Sequence, residues 1–335
     1  MPTMPTALPG VPTLETFVSA ASAAPSIHNT QPWRFRLDPD DDALEIRAAA
    51  ERGLRHTDPS ARALHISVGC ALFNLRVAVA HFGRVPVTRL LPRPDEPGLL
   101  ATVRLGGPAR FSTAPRLYDA LWHRHSSRLP FADLPLPGAV LAELAEAAHT
   151  EGAVLGRHDP DATDRVLRLT REGEQRTTAD PDRSAESRRW AQEPDHTGLG
   201  IPPSAVGAQD YRDRIPMRDF GAHRHPAALT ARPFEARPTI AVLSTAHDRR
   251  ADWLRAGQAL ERVLLVATAH GIRTSLLHQA LEWPDLREQL GPTPHDDRRG
   301  HAQMMIRLGY GPKGPPSPRR TVSQTLEGGV LPIPR

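Results

Sequence analysis

The sequence predicts an α+β protein, and three observations predict it. Two long apolar stretches with helical patterning, 62–81 and 251–270, stand far apart in the chain. Short strand-like runs separated by Pro-rich turns accompany each of them. Finally, Ala-His-Phe-Gly at 80–83 is echoed by Thr-Ala-His-Gly at 268–271, each closing its helix and leading toward a β-like run. That pattern is consistent with an internal duplication.

Taken in order, Leu14, Phe17, Val18 and Ala21 recur at i, i+3, i+4 and i+7, an apolar helical face stopped by Pro25. Residues 33–37 and 44–47 are strand candidates around the acidic turn 38–42. The stretch 62–81 is apolar on nearly every face, which describes a helix buried on all sides, with Gly83 placed to cap it. Strand-like runs follow at 85–91 and 99–105. A second half begins near Pro115, with helices over 117–125 and 140–149 and a strand at 153–155. From 177 to 238 the chain is charged and Pro-rich, and no periodicity is sustained. A stretch of that length inside a compact domain is either a lid or binding loop, or an irregular insert. Regular structure returns with a β-rich run at 239–244, the helix 251–270 capped by Gly271, and a strand at 304–308. A Gly/Pro-rich tail, 309–335, closes the chain.

Composition removes several function classes. The chain has 335 residues, 39% of them apolar, and a formal net charge of only +4. That is enough for a sizeable core, as one large domain or two halves. Lys313 is the only lysine among 42 basic residues. Schiff-base chemistry needs a positioned lysine, and this one lies in the tail. Neither a phosphate-binding Gly-x-x-x-x-Gly-Lys loop nor a Gly-x-Ser-x-Gly elbow occurs. The arginines are dispersed rather than striped, which argues against nucleic acid. The histidine pairs His123/His125 and His223/His225 lack carboxylate or thiol partners at ligand spacing, so no metal site is expected. Cys70 reads as a buried structural thiol in a reducing cytoplasm. The longest uncharged apolar stretch, between Arg62 and Arg76, falls short of the ~20 residues of a membrane span. With no signal-peptide pattern either, the expectation is a cytoplasmic protein without a membrane partner.

Two constellations carry chemistry. Residues 23–35 read Ala-Ala-Pro-Ser-Ile-His-Asn-Thr-Gln-Pro-Trp-Arg-Phe. A side-chain amide offers both a donor and an acceptor, so Asn29 and Gln31 suit a ligand edge that alternates the two, as a flavin pyrimidine does. Pro25 and Pro32 fix backbone φ around them. The other reading is a polar loop that merely opens a strand. The second constellation is Arg124-His125-Ser126-Ser127-Arg128. Guanidiniums bracketing a hydroxyl suit a phosphate, and on a continuing helix Arg124 and Arg128 would share a face. An Arg-rich helix end favoured by the macrodipole explains the same residues.

The first constellation, Pro-Ser-x-x-Asn-x-Gln-Pro-Trp-x-Phe, resembles the flavin-contacting motif of the FMN-dependent nitroreductase superfamily. Arg-x-Ser-x-Arg at 124–128 resembles that superfamily's motif for the FMN phosphate and ribityl chain. Phe131 follows it as in the Acg-like branch, where two nitroreductase halves are fused in one chain. Residues 256–271 resemble the family's C-terminal core helix, and Thr274, Ser275 and Leu276 match the segment whose backbone approaches the isoalloxazine ring. Residues 305–311 resemble the closing strand, and Arg319 and Arg320 its tail arginines.

The resemblance implies two pseudo-symmetric halves, 1–112 and 113–335, each with a mainly antiparallel sheet, and long buried helices packed at their junction. Each half carries one motif, so one chain would build one FMN site. The implied cofactor contacts are Pro25, Ser26, Asn29, Gln31, Arg124, Ser126, Arg128, Thr274, Ser275, Leu276, Arg319 and Arg320, with no catalytic side chain because the flavin carries the chemistry. The implied activity is hydride transfer from NAD(P)H through FMN to a small acceptor such as a nitroaromatic or quinone. The alternative is a flavin-sequestering protein with little turnover. Residues 195–202 sit where the branch has an Asp-Gly-Ile-Pro-like lid motif, although the match is imperfect. The protein would be a monomer mimicking a dimer, or a homodimer.

Overall fold

A computed structural model describes residues 14–38, 43–108, 114–157, 160–191, 197–220, 230–291 and 300–327. Helix α1 (Leu14–Ser22) leads to strands β1 (Trp33–Asp38) and β2 (Ala43–Ala48), helix α2 (Arg62–His81), and strands β3 (Arg84–Leu90) and β4 (Leu99–Pro108). Helices α3 (Ala114–His123) and α4 (Gly138–Thr150), strand β5 (Val154–Arg157) and helices α5 (Pro160–Ala179) and α6 (Pro181–Trp190) follow. The short α7 (Pro203–Val206), β6 (Gln209–Asp210) and β7 (Ala231–Arg232) precede β8 (Thr239–Thr245), α8 (Arg250–Ala269) and β9 (Arg273–Leu277). Helix α9 (Pro284–Gln289), β10 (His301–Gly309) and α10 (Val322–Thr325) end the described chain.

The internal echo has a structural counterpart. One antiparallel sheet runs β1-β2-β4-β3 and the other β5-β8-β10-β9. In both, the first two strands in the chain pair directly and the fourth lies between the second and third. In both, a 20-residue helix, α2 or α8, joins the second strand to the third. The fold is therefore α+β with two sheets of the same strand order. A sheet of this kind has one face to bury, and the two long helices supply the shared filling.

Those helices cross where each has a glycine. A Cβ on Gly69 would lie 2.8 Å from the Cα of Gly257, and one on Gly257 would lie 2.7 Å from the Cα of Gly69. The backbones touch, and Cys70 Sγ donates to the Gly257 carbonyl at 3.2 Å. Helix α2 has the length and hydropathy of a membrane-crossing helix, but 83% of that window is buried within the molecule. Its apolar faces are covered by α1, α3, α8 and the first sheet.

The stretch 177–238 is more regular than its composition suggests. Residues 177–179 complete α5, a helix whose charged composition hides it in the sequence. Its buried Val166, Leu167, Leu169, Thr170, Gly173 and Thr177 form one narrow stripe on an otherwise charged helix. Asp180 then caps α6, accepting from the amides of Asp182 and Arg183 at 3.0 and 3.1 Å. The described part of the tail, to Glu327, returns to the first sheet, where Leu326 bridges Phe35 and Glu327 N donates to the Phe35 carbonyl at 2.7 Å.

Candidate active site

A cavity of about 1120 Å³ opens between the two halves, larger than the several hundred Å³ typical of a single-ligand pocket. Ala63 and Cys70 of α2 both line it, so it runs at least ~10 Å along that helix. Leu260 of α8, Leu276 and Leu281 give it apolar walls. Arg124 and Arg319 stand in its lining, as do His28, His278 and Glu282.

The motif loop is held in an unusual backbone. His28, Asn29 and Gln31 all have positive φ, at 47°, 54° and 45°, a left-handed conformation that costs energy in non-glycine residues. Ser26 Oγ accepts from Gln31 N at 2.9 Å, and Ser67 Oγ of α2 accepts from Ile27 N at 3.2 Å. These bonds offset part of the strain.

Of the twelve residues the resemblance implied, Pro25, Ser26, Asn29, Arg124, Ser126, Arg128, Leu276 and Arg319 line the cavity. Gln31, Thr274, Ser275 and Arg320 do not. The amides of Asn29 and Gln31, expected to face a ligand edge, are saturated by the chain. Asn29 Nδ2 donates to the carbonyls of Gly200 (2.8 Å) and Pro318 (3.0 Å), and its Oδ1 accepts from Arg319 Nη1 at 3.0 Å. Gln31 Nε2 donates to the Gly198 carbonyl at 2.6 Å, and its Oε1 accepts from Arg320 N at 3.0 Å. Thr274 acts through its main chain, accepting from Ser127 N at 2.8 Å and pairing with Ser126.

Helix α3 stops before Arg124, so Arg124 and Arg128 do not share a helical face. Arg124 is buried, with Nη2 on the Ala23 carbonyl at 3.3 Å and Nε 3.4 Å from Glu261 Oε1. Arg319 Nη2 shares the same Ala23 carbonyl, also at 3.3 Å. The Nε atoms of both arginines have no hydrogen-bond partner among the described residues, and the carboxylate oxygens of Glu261 have none of good geometry, with the Asn74 side chain nearby. Burial, and then the proximity of Arg124, lower Arg319 to about 9, so it is still charged at neutral pH. Burial pushes Glu261 up to about 7 against the pull of Arg124. His125, lowered to about 4 by burial and by Arg124 and Arg319, is neutral.

Arg128 differs. Its Nη1 donates to the Arg218 carbonyl at 3.0 Å, and its guanidinium lies 4.6 Å from the centre of the Phe220 ring. Phe131, which resembles a branch marker, packs structurally, with Arg307 stacked over its ring at 4.0 Å.

A second charged cluster has no signature in the sequence. Arg218, 2% exposed, grips Glu282 with both Nη atoms at 2.8 Å, Glu174 of α5 with Nε at 3.1 Å, and His28 Nε2 with Nη1 at 3.1 Å. An arginine only donates, so His28 carries its proton on Nδ1, which has no partner among the described residues. His278 Nδ1 meets Glu282 Oε1 at 2.6 Å. Burial pushes Glu282 up, but Arg218 and His278 hold it down to about 2. Burial foremost lowers both histidines. The nearest ligand-type atoms of His28, His278 and Glu282 lie within 4.8 Å of one another, and Arg218 provides the positive charge of that grouping. His28 stands inside the quoted motif. Arg218, Glu174 and the i,i+4 pair His278/Glu282 come from three separate segments with no common spacing.

Arg218 and Phe220 belong to the strap 197–220, which also supplies Ile201 and Ala205 to the cavity wall. Residues 195–196 of the lid-like motif and the pair His223/His225 lie outside the described residues.

The nitroreductase family model covers residues 121–310, and the chain belongs to that family. Among curated proteins it is similar to Rv3131 of Mycobacterium tuberculosis, provisionally named an NAD(P)H nitroreductase, at 31% identity over 97% of this chain and 94% of that one. It is also similar to the acg protein of that organism, provisionally named likewise, at 29% identity over 96% and 98%. A solved structure, a provisionally assigned nitroreductase from Anabaena variabilis, aligns over 91% of this chain and 90% of that chain at 12% identity, with a TM-score of 0.47.

Proposed function

We propose that the protein is an FMN-dependent oxidoreductase of the nitroreductase type, with one FMN per chain between its halves. The carrying observation is the pair of guanidiniums, Arg124 and Arg319, whose buried Nε donors make no hydrogen bond among the described residues where the two side chains line the cavity. Unpaired buried donors are costly, and a phosphate oxygen is a strong acceptor for them. The residues therefore fit the phosphate of such a cofactor. Bound there, FMN would supply two-electron chemistry, taking hydride from NAD(P)H and returning it to a small acceptor such as a nitroaromatic or quinone.

The chain's own part is to bind, orient and exclude water. Arg124, Ser126 and Arg319 would hold the phosphate end, and Pro25, Ser26, Asn29 and Leu276 would surround the remainder. Leu260, Leu276 and Leu281 keep the walls apolar, a setting that suits a flat ring. No acid–base pair is needed from the protein, because proton and electron movement centre on the cofactor.

A second reading, flavin sequestration with little turnover, has its own support in the strap. Arg218 ties segment 197–220 to Glu282, Glu174 and His28, and the motif amides tie Gly198 and Gly200. A segment held at that many points admits a second substrate only by opening. The absorbance spectrum of the purified protein tests the common premise, and a flavin band is expected. Mixing with NADPH or NADH in a stopped-flow cell then separates the readings. Bleaching by either nucleotide supports the oxidoreductase; bleaching by dithionite alone supports sequestration.

A further inference from the structure

The two arginines at the phosphate end are accompanied by a carboxylate whose position makes little sense for a purely structural group. Glu261 sits in the middle of α8 with 0% exposure. Neither oxygen makes a well-aligned hydrogen bond among the described residues, although the Asn74 side chain lies close enough to help hold its charge. Its ion pair with Arg124 is held at 3.4 Å without a hydrogen bond. The groups facing it are few: Cys70 and Asn74 from α2, Arg124 from the end of α3, and Arg319 from the tail. Cys70 is itself pushed well above its usual range by burial and by Glu261, so it stays protonated. The cluster thus holds two guanidiniums, both charged at neutral pH, and one carboxylate.

A buried carboxylate beside the intended anion site would oppose a phosphate dianion. Two guanidiniums against a dianion balance; adding an ionised Glu261 leaves one uncompensated negative charge in a buried place, which is expensive. Protonation removes that charge. We propose that Glu261 is a positioning residue for phosphate uptake: as a carboxylate it holds Arg124 in place, and as a phosphate dianion binds it takes one proton from solvent and releases that arginine to the ligand. No other bond forms or breaks. The proposal rests on the FMN reading for the identity of the phosphate. Its free-state poise, raised to about 7 by burial, puts the exchange within reach of neutral pH.

The sign follows from linkage. Below pH 7 the proton is already present, and binding is unaffected. Above it each bound phosphate must draw a proton from increasingly dilute supply, so affinity weakens by up to about tenfold per pH unit. The phosphate's own second ionisation, near pH ~6, adds a separate dependence that every variant shares.

The test is FMN release from the purified holoprotein on dilution, read by the fluorescence of freed flavin, for the native chain and Glu261→Gln between pH 6 and pH 8. Glutamine mimics the protonated acid. The ratio of native to variant dissociation constants is expected to rise from about one at pH 6 to roughly ten at pH 8. A ratio that stays flat overturns the proposal while leaving the FMN reading intact. Failure of the native protein to hold flavin at either pH overturns both. If Glu261→Gln does not fold, proton uptake by the native protein decides instead, with riboflavin, which lacks the phosphate, as the comparison. FMN should draw up close to one more proton per site at pH 8 than riboflavin does; equal uptake refutes the exchange.

Discussion

Arginines at two places, in the cavity wall and just behind it, are treated in opposite ways. At one, Arg218 directs Nε and both Nη atoms at named acceptors, two carboxylates and an imidazole, all within 3.1 Å. At the other, Arg124 is as enclosed and Arg319 half-buried, yet neither makes a hydrogen bond through Nε among the described residues, where Arg124 has only its 3.4 Å ion pair to Glu261. Burial alone does not distinguish them. The difference here is saturation: Arg218, whose acceptors are protein groups, is a tie within the chain, whereas Arg124 and Arg319 combine donors short of acceptors with a place in the cavity lining, which suits an anion. Arg128, bonded to the Arg218 carbonyl and stacked on Phe220, falls with the ties.

That contrast is most easily broken by removing each kind of arginine. Replacing Arg124 and Arg319 together by Ala should weaken FMN binding by roughly a hundredfold or more, since each charged hydrogen-bonding contact contributes about 1.5–3 kcal/mol. Equilibrium dialysis against free FMN measures it, and native-like occupancy would mean that the unsaturated donors are not the anion site. Arg218→Met should do the reverse. It leaves Glu282 and Glu174 buried without their cation, a loss of about 3–5 kcal/mol in unfolding free energy, while FMN affinity moves only a few-fold. Urea unfolding alongside flavin release reads both quantities on one sample. Equal losses of flavin in the two variants would erase the distinction between tie and receptor.

A milder change sharpens the same point within the motif loop. Gln31→Ala removes two bonds, to the Gly198 carbonyl and from Arg320 N, each contributing about 1 kcal/mol. With no place in the cavity lining, Gln31 should hardly affect FMN affinity, and its loss should instead speed proteolytic cleavage within 197–220. A large drop in affinity with unchanged cleavage would restore Gln31 to the role its motif implied.

Much of the fold is legible in the sequence because long-period signals survive locally. The apolar stretches 62–81 and 251–270 correspond to α2 and α8 within a residue, and the strand runs pair antiparallel as sheets. Helix α5 is hidden because its buried stripe, Val166 to Thr177, is interrupted by charged residues on the outer face, so composition masks the period. The site is legible only in part. Spacing locates Arg124, Ser126 and Asn29, but says nothing of whether an amide meets a ligand or a neighbouring carbonyl. That is decided by the strap and the tail, Gly200 and Pro318 in the case of Asn29. Arg218, Glu174, His278 and Glu282 are invisible for the same reason: three separate segments meet there, and no short pattern records a meeting.

The smallest expected effect compares two carboxylates, one beside each kind of arginine. Glu282, held down to about 2, adds stability that is fully present above the ordinary glutamate value and fades as pH falls through 2. Glu261, raised to about 7, runs the other way. Its protonated form fits the fold, so its contribution is intact below the ordinary value and is lost as pH rises from there through 7. Glu261→Gln should therefore match the native melting temperature near pH 4 and exceed it by roughly 2–4 °C at pH 8. The scale follows because a tenfold change in a protonation equilibrium is about 1.4 kcal/mol, spread over the large unfolding entropy of a chain this long, with the pull of Arg124 already contained in the raised value. Calorimetry of the flavin-free protein at several pH values measures the gap. Were that gap to shrink toward alkaline pH, Glu261 would be an ordinary ion-pair partner, and the two arginine environments would differ less than their geometry indicates.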